Sequence, residues 1–252
     1  MKKILTMVVV TISILATSCI SIIEELTLNK DGSGTYAYTI DMTALMESGA
    51  LGQARQMSDE MPEDALEIDT IMGAYSMLKE QGSLDDMDKP EFWKKVKLVS
   101  KISESKKVGE ISFILDFDEM SEVDYFTKNL SKLLESDETA GMLSSMGLTG
   151  SMTSNPFSYK KGWFSRTVSR KKQENNGDMA GMLEEEGGEM VKMMLSGAEY
   201  ITIYNLPGKV KSVSNDEANI SKDGKTVTIK AGLLDQMEGE ADLATSIKFK
   251  KN

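Results

Sequence analysis

Histidine is absent from this sequence of 252 residues, and cysteine occurs once, at position 19. Without histidine, neither a Ser–His–Asp triad nor a Cys–His nucleophile can form. Zinc sites built from cysteine and histidine are excluded for the same reason, and a single cysteine cannot form an intrachain disulfide. Carboxylate, Ser–Lys and calcium chemistry stay open. Most common routes to catalysis are therefore closed, and we expect no cofactor and no bound metal.

Positive charge is also in short supply. The chain has 29 basic residues against 40 acidic ones, for a formal net charge of −11. Nucleic acid is therefore not an expected partner, because phosphate binding requires clustered positive charge. Hydrophobic residues make up 40% of the chain, which is enough for a folded core.

The longest apolar run, residues 4–16, is interrupted only by two threonines and a serine. Lys2 and Lys3 precede it, and the small residues Thr17 and Ser18 follow it. This order is typical of a secretory signal peptide. The run is too short to span a membrane, since a spanning helix needs about 20 apolar residues.

The end of this segment, "ATSC", resembles the lipobox of bacterial lipoproteins, although Ala16 stands where that family usually has leucine. The resemblance implies removal of residues 1–18, a diacylglycerol on the Cys19 sulfur and acyl chains such as palmitate. It also implies a location in the cell envelope, which we expect to be the periplasm-facing outer membrane. The loss of Lys2 and Lys3 would take the formal charge from −11 to −13. The alternative is an ordinary secreted protein with a single buried thiol.

Residues 19–252 are predicted to form a single α+β domain. Apolar residues alternate on both sides of Asp31-Gly32, which predicts a β-hairpin. Similar patterns predict further hairpins in the centre and at the C-terminus of the chain. Because hairpins dominate, we expect a mostly antiparallel sheet with helices from the middle of the chain packed on one face.

Helical spacing covers three segments. These are residues 42–57, with Asp41 as the N-cap, residues 65–78, ending near Gly82, and residues 121–134. A Gly/Ser/Met-rich stretch at 139–155 predicts a mobile loop, and its methionines could form a lipid or peptide groove. Residues 171–188 form a polar, acidic segment.

Two clusters invite a catalytic or metal-binding interpretation. Residues 29–34 match the first ligand positions of a calcium loop, but Ile40 stands where the bidentate glutamate is needed, so a hairpin turn is the better interpretation. Residues 116–124 carry five carboxylates, and a glycoside hydrolase needs only two. Acidic residues are also favoured where a helix begins, and we expect them to serve structure there.

No acidic residue lies between Glu138 and Glu174, and the basic side chains in that interval alternate with aromatic ones. This composition suits a membrane interface. The candidate membrane- or ligand-contact residues are Lys160, Lys161, Trp163, Phe164, Arg166 and Arg170. The alternative is a hairpin with one face in the core and one in solvent, in which case only one of Trp163 and Phe164 points outward.

The opening "DGSG" strand and the later "IYNLPGKVKSVS" and "DGKTVTIKAG" segments resemble bacterial lipoproteins of the LppM-like class. That resemblance implies a non-enzymatic protein with a link to envelope lipids. It covers roughly the first 25 and the last 50 residues of the mature chain, and the helical middle departs from it. The sequence thus favours a non-enzymatic interaction or lipid-handling module. Its partner would be the membrane that holds its lipidated N-terminus, with anionic lipid or another envelope protein as a further partner. The alternative is a carboxylate-dependent hydrolase of envelope glycans.

Overall fold

The computed structural model describes residues 20–48, 67–135, 156–167, 195, 197–237 and 240–250. Cys19, Arg170, the predicted loop at 139–155 and the acidic segment at 171–188 lie outside the described residues. The strands are β1 Ser21–Leu28, β2 Gly34–Asp41, β3 Glu67–Gly73, β4 Val96–Ser103, β5 Val108–Phe117, β6 Phe157–Lys160, β7 Trp163–Arg166, β8 Glu199–Asn205, β9 Val210–Val213, β10 Asn219–Ile220, β11 Thr226–Gly232 and β12 Thr245–Phe249. The helices are α1 Thr43–Ser48, α2 Ala74–Glu80, α3 Met120–Glu135 and α4 Leu233–Met237, with short 3-10 turns at Leu84–Asp86 and Pro90–Lys95.

The strands form two sheets. The large sheet has eight strands in the order β10-β11-β8-β1-β2-β5-β4-β3, and the small sheet has four in the order β6-β7-β12-β9. Nearly all neighbours are antiparallel, and β1 with β8 is the parallel pair. The predicted α+β class with a mostly antiparallel sheet is confirmed.

One face of the large sheet carries the core. Side chains alternate along β1, so that Ile22, Glu24, Leu26 and Leu28 are buried while Glu25 is exposed. Helix α3 packs its apolar face against β5 and β6 on this side. The buried apolar side chains described in α3 are Val123, Phe126, Leu130 and Leu133. Each such side chain contributes about 1.5 to 3 kcal/mol when it leaves water, which explains why the helices gather on this face.

Local patterns predicted several elements correctly. The β1–β2 hairpin turns at Gly32, whose φ of 98° is in the left-handed region, and the β6–β7 hairpin turns at Gly162, with a φ of 85°. Helix α3 matches the predicted helix at 121–134. Helix α1 covers the described part of the predicted 42–57 helix, and Asp41 Oδ1 accepts a hydrogen bond from the Thr43 amide at 2.9 Å.

The predicted helix at 65–78 is wrong in its first half. Residues 67–73 form the edge strand β3, which pairs with β4 along its whole length, and only Ala74–Glu80 is helical. β3 includes β-branched residues at 68, 70 and 71, which favour a strand. Pairing with an edge that was otherwise open outweighs the helical spacing, because it satisfies a full row of backbone groups.

Candidate functional site

The chain enters the large sheet immediately after Cys19. Ile20 is buried, and its carbonyl accepts a hydrogen bond from the Glu199 amide at 3.2 Å. β1 begins at the next residue and lies in the interior of the sheet, between β8 and β2. Cys19 precedes the first residue of β1 by two positions in the sequence. We call the end of the fold at which β1 begins the anchor end.

A buried ion pair joins the two sheets behind this end. Glu24 points from β1 into the core, and Arg166 points toward it from β7 of the small sheet. Arg166 Nη1 lies 2.5 Å from Glu24 Oε2, and the two side chains are 0% and 8% exposed. The Tyr200 hydroxyl donates to Glu24 Oε1 at 2.6 Å, and Arg166 Nη1 donates to the Tyr204 hydroxyl at 3.3 Å.

The electrostatics of this cluster keep its tyrosines neutral. Burial raises the pKa of Tyr200 well above its ordinary value, and the negative charge of Glu24 raises it further. The same two causes raise the pKa of Tyr38. Burial alone would lower the pKa of Arg166, but the attraction of Glu24 and smaller contributions from nearby tyrosines outweigh it, so that this pKa is also raised. The cluster therefore holds one positive and one negative charge among neutral hydroxyls.

The guanidinium of Arg166 is not fully satisfied. Nε and Nη2 are buried and have no hydrogen-bond partner within the described part of the chain. The ring of Phe157 lies 5.5 Å from the guanidinium carbon and covers it without accepting a conventional hydrogen bond. Buried donors of this kind are normally paired with protein, water or a ligand, and an unmade bond costs about 1 to 3 kcal/mol.

A cleft of about 960 Å³ lies beside the ion pair. Its walls come from β7, the end of β9, the end of β11, helix α4 and the chain that leads into β12, and Arg166 belongs to its lining. Lys230 and Ala231 of the lining pair with Ile201 and Tyr200 of β8, the strand whose first residue bonds Ile20. This part of the cleft therefore lies at the anchor end. Its volume is within the usual range for small-molecule sites, about 300 to 1,000 Å³.

The lining is polar and acidic. Hydroxyl and amide groups come from Ser214, Asn215, Thr245 and Ser246, and the half-buried Trp163 donates its indole N–H to Ser246 Oγ at 2.8 Å. The carboxylates of the lining are Asp216, Glu217, Asp235, Glu240 and Asp242. The cations are Lys230, which is paired with Glu199 at 2.9 Å, and Arg166, which is paired with Glu24. The cleft is thus suited to neutral or cationic groups rather than to anions.

The residues predicted for membrane contact separate into three environments. Phe164 and Arg166 are buried, and the Phe164 ring packs against that of Tyr204 with centroids 4.9 Å apart. The prediction of membrane contact is therefore corrected for these two, because both point from β7 toward the large sheet. Ligand contact stays a prediction for Arg166, which also lines the cleft. Trp163 lines the cleft. Lys160 and Lys161 are exposed, and their membrane contact stays a prediction.

Lys160 and Lys161 lie far from the anchor end. The neighbouring Tyr159 hydroxyl donates to the Lys30 carbonyl, in the turn that follows β1, at 3.2 Å. β1 has eight residues, so its two ends are separated by about 25 Å at a rise of about 3.3 Å per residue. The β6–β7 turn thus lies at the end of β1 opposite the anchor end.

The other two sequence clusters serve structure. Asp31 Oδ1 accepts bonds from the Ser33 amide and hydroxyl at 3.0 and 2.7 Å, which closes the β1–β2 turn. Lys95 binds both Asp118 and Glu122, at 2.8 and 2.5 Å, where α3 begins. Asp124 Oδ1 accepts a bond from the Phe157 amide at 2.9 Å and so joins α3 to β6. Within the described ranges, no group of three or more acidic, histidine or cysteine side chains is placed to hold a metal ion.

Sequence reasoning missed Glu24 and its tyrosine partners. An indication was available, because Glu24 occupies the same alternating register as Ile20, Ile22, Leu26 and Leu28. A charged residue in the buried register of a strand predicts a buried partner. The cleft could not be anticipated, since its lining comes from segments between residues 163 and 246 that are distant in sequence.

The described part of the chain contains no helix with the length and apolar character needed to cross a bilayer.

No protein-family model matches the chain, and no curated protein matches it. Among solved structures, it is similar to the NMR structure of the folded domain of LppM from Mycobacterium tuberculosis. The identity is 8% and the TM-score is 0.41, and the alignment covers 93% of this chain and 91% of that one. At this identity, no residue of that protein assigns a role to a residue of this chain.

Proposed function

We propose that this chain is a lipid-anchored protein of the cell envelope that works by binding rather than by catalysis. The cleft at its anchor end receives the polar headgroup of a membrane amphiphile. The observation that carries this proposal is the position of Ile20, which is buried at the same end of the sheet as the cleft residues Lys230 and Ala231. An acyl group on Cys19 would leave almost no tether between the bilayer and the domain.

The anchor and the cleft then act together. Two or three acyl chains hold a protein firmly at a membrane, whereas one gives only marginal binding. With the anchor end held at the bilayer, the cleft faces the layer in which lipid headgroups lie. A ligand could enter it without crossing open water, and the domain would serve as a headgroup receptor or lipid carrier.

The lining indicates the headgroup class. Five carboxylates oppose an anionic headgroup, and the two cations of the lining already have acidic partners. Ser214 and Ser246 supply hydroxyl groups that can bind hydroxyls and amines, whereas the Asn215 amide is held by the Asp242 and Ala244 carbonyls and the Glu217 amide. A neutral or amine-bearing headgroup therefore fits the cleft best.

A binding role also agrees with the residue chemistry. The chain has no histidine, and its one cysteine is the predicted lipid attachment point. The carboxylates at 116–124 and in the β1–β2 turn are engaged within the fold, by Lys95, Lys97, Ser121, the Phe157 amide and Ser33.

The anchor is tested with the full chain in a bacterial host, by metabolic labelling with an alkyne fatty acid and intact-mass measurement of the membrane fraction. We expect acylated protein that begins at Cys19, and Cys19→Ala should carry no lipid and leave the membrane fraction. The anchor would be disproved if the wild-type protein carried no lipid and divided between the membrane and soluble fractions in the same way as Cys19→Ala.

The cleft is tested by native mass spectrometry of lipids that copurify with the membrane-extracted protein. Ala244→Trp places a large ring in the cleft and should abolish copurification, with lipidation unchanged. Ala37→Trp is the matched control, because Ala37 is also half-buried but faces the opposite side of the large sheet. Equal lipid retention by both variants would show that the cleft is not the lipid site.

A further inference from the structure

A second surface lies at the opposite end of the fold from the cleft. Four turns and the C-terminal end of β12 meet there, and together they carry lysines whose side chains are all exposed. These residues, which we call the distal lysine surface, are Lys30, Lys160, Lys161, Lys209, Lys222, Lys225 and Lys250.

Backbone contacts show that these segments form one continuous end. The β1–β2 turn touches the β6–β7 hairpin through the bond from the Tyr159 hydroxyl to the Lys30 carbonyl. The Phe249 amide donates to the Gly162 carbonyl at 3.0 Å, which joins that hairpin to β12. The Lys250 amide donates to the Lys209 carbonyl at 2.8 Å and so joins β12 to the β8–β9 loop.

The remaining contact brings in the β10–β11 turn. The Val210 amide donates to the Gly224 carbonyl at 2.7 Å, and the Leu206 amide donates to the Lys225 carbonyl at 2.9 Å. Five segments that are separated by up to about two hundred residues in sequence are thus connected in series. Their lysines share one surface because the backbone bonds leave no gap between the segments.

The positive charges of this surface are not neutralised. None of the seven lysines forms an ion pair within the described part of the chain. The two acids in the same turns, Asp31 and Asp223, are occupied locally. Asp31 accepts bonds from Ser33, and Asp223 accepts bonds from the Ser221 hydroxyl at 2.6 Å and the Lys225 amide at 3.0 Å.

At the border of the surface, lysines are paired with acidic residues. Where β5 runs into α3, Asp116 is paired with Lys97 at 3.4 Å, and Asp118 and Glu122 are paired with Lys95. The unpaired lysines are therefore concentrated on the side formed by the small sheet and by β8 and β11. In a chain of net charge −11, such a cluster repels itself and favours an anionic partner.

We infer that the distal lysine surface binds the anionic lipid surface of a membrane. The lysines come from several turns, so they form a broad end rather than a groove. Lysine carries a compact charge on a flexible stem, which suits a diffuse field better than the two-point recognition that arginine provides. Each lysine near such a surface strengthens binding about fivefold, and the effect falls off within about 10 Å at 0.1 M salt.

The orientation of the distal lysine surface relative to the anchoring membrane depends on the proposed function. Its binding to anionic lipid does not. With Cys19 anchored in one membrane, the distal lysine surface would face away from that membrane. The length of β1, about 25 Å, would separate the two. The anionic surface would then belong to a membrane that faces the anchoring one, and the protein would bridge the two.

The test uses the chain from residue 19 with Cys19→Ser, so that lipidation cannot contribute. Sedimentation with phosphatidylcholine vesicles, with and without phosphatidylglycerol, measures binding. We expect binding only when phosphatidylglycerol is present, weakened by added salt. The triple variant Lys209→Glu, Lys222→Glu and Lys250→Glu should lose about a hundredfold or more in partitioning.

The matched control is Lys79→Glu, Lys101→Glu and Lys128→Glu, which changes the net charge equally at exposed lysines outside this surface. It should bind within a few-fold of wild type. Equal losses in both triple variants, or no binding by wild type, would overturn the inference. Binding to a soluble acidic polysaccharide but not to vesicles would overturn the membrane assignment.

Discussion

Arg166 of the small sheet and Glu24 of the large sheet form a buried ion pair, with Nη1 and Oε2 separated by 2.5 Å. The pair joins β7 to β1, so it fixes how the two sheets face each other. It also places a guanidinium with free N–H groups at the margin of the cleft.

Glu24→Leu should destabilise the protein by about 3 to 5 kcal/mol, because it leaves the Arg166 charge buried without its partner. Arg166→Met should cost a similar amount by leaving Glu24 uncompensated. The double variant Glu24→Leu with Arg166→Met should recover most of the loss, since an apolar pair removes both desolvation costs.

Chemical denaturation of these variants forms a double-mutant cycle that measures the coupling directly. Additive losses would mean that the two charges do not stabilise each other. In that case the short distance would have no energetic meaning.

Stability should fall above pH 10, because burial raises the pKa of Tyr38 and Tyr200 above the ordinary value of 10.0. The folded state then holds protons that the unfolded state has released. The stabilisation is complete below pH 10 and is lost as the pH rises toward the folded-state pKa. Denaturation midpoints measured from pH 8 to 12 give the dependence of folding stability on pH.

Tyr38→Phe is the informative variant. The Tyr38 hydroxyl is buried and has no hydrogen-bond partner within the described residues. Its removal should cost less than 1 kcal/mol, or raise stability by about that much, at pH 7. It should also make the decline above pH 10 shallower, and an unchanged slope would contradict the assignment.

Asp124→Asn should preserve or increase stability at pH 7. Burial raises the pKa of Asp124, and the bond from the Phe157 amide opposes this only in part. The ionised form is therefore less favourable in the folded state. Asp124 contributes most to folding stability below pH 3.8, where it is protonated, and this contribution declines as the pH rises through the folded-state pKa. Asparagine keeps the acceptor oxygen for Phe157, whereas Asp124→Ala should destabilise α3 against β6. A thermal melt of both variants at pH 4 and 7 separates charge from hydrogen bonding.

Gly34→Ala should destabilise the β1–β2 hairpin by about 1 to 3 kcal/mol. A Cβ at this position would lie 1.9 Å from the Thr27 carbonyl oxygen and 2.9 Å from the Phe117 ring. The strands would have to separate to accept it. Gly73→Ala is the control, because the nearest atom to a Cβ there is 4.0 Å away and its backbone is extended. Equal melting temperatures for the two variants would contradict the close packing at Gly34.

Local sequence patterns were sufficient to predict the β1–β2 and β6–β7 hairpins and helix α3. Asp31-Gly32 and Lys161-Gly162 place glycine where the left-handed φ of each turn requires it. The apolar spacing of residues 121–134 matches one helix face over nearly four turns. Alternation along β1 also determined which of its side chains enter the core, including Glu24. These features depend on residues within a few positions of one another, so a single sequence contains them.

The tertiary structure alone decided the partners. β3 is a strand because β4 offers it an open edge, against the helical spacing of its own residues. β1 pairs with β8 in parallel although about 180 residues separate them, and no local pattern identifies that neighbour. Arg166 meets Glu24, and seven lysines from five segments share one end, because burial and backbone hydrogen bonding determine which segments become neighbours. The sequence determines the side-chain chemistry at each position. Contacts between distant segments are determined by the free-energy minimum of the whole fold.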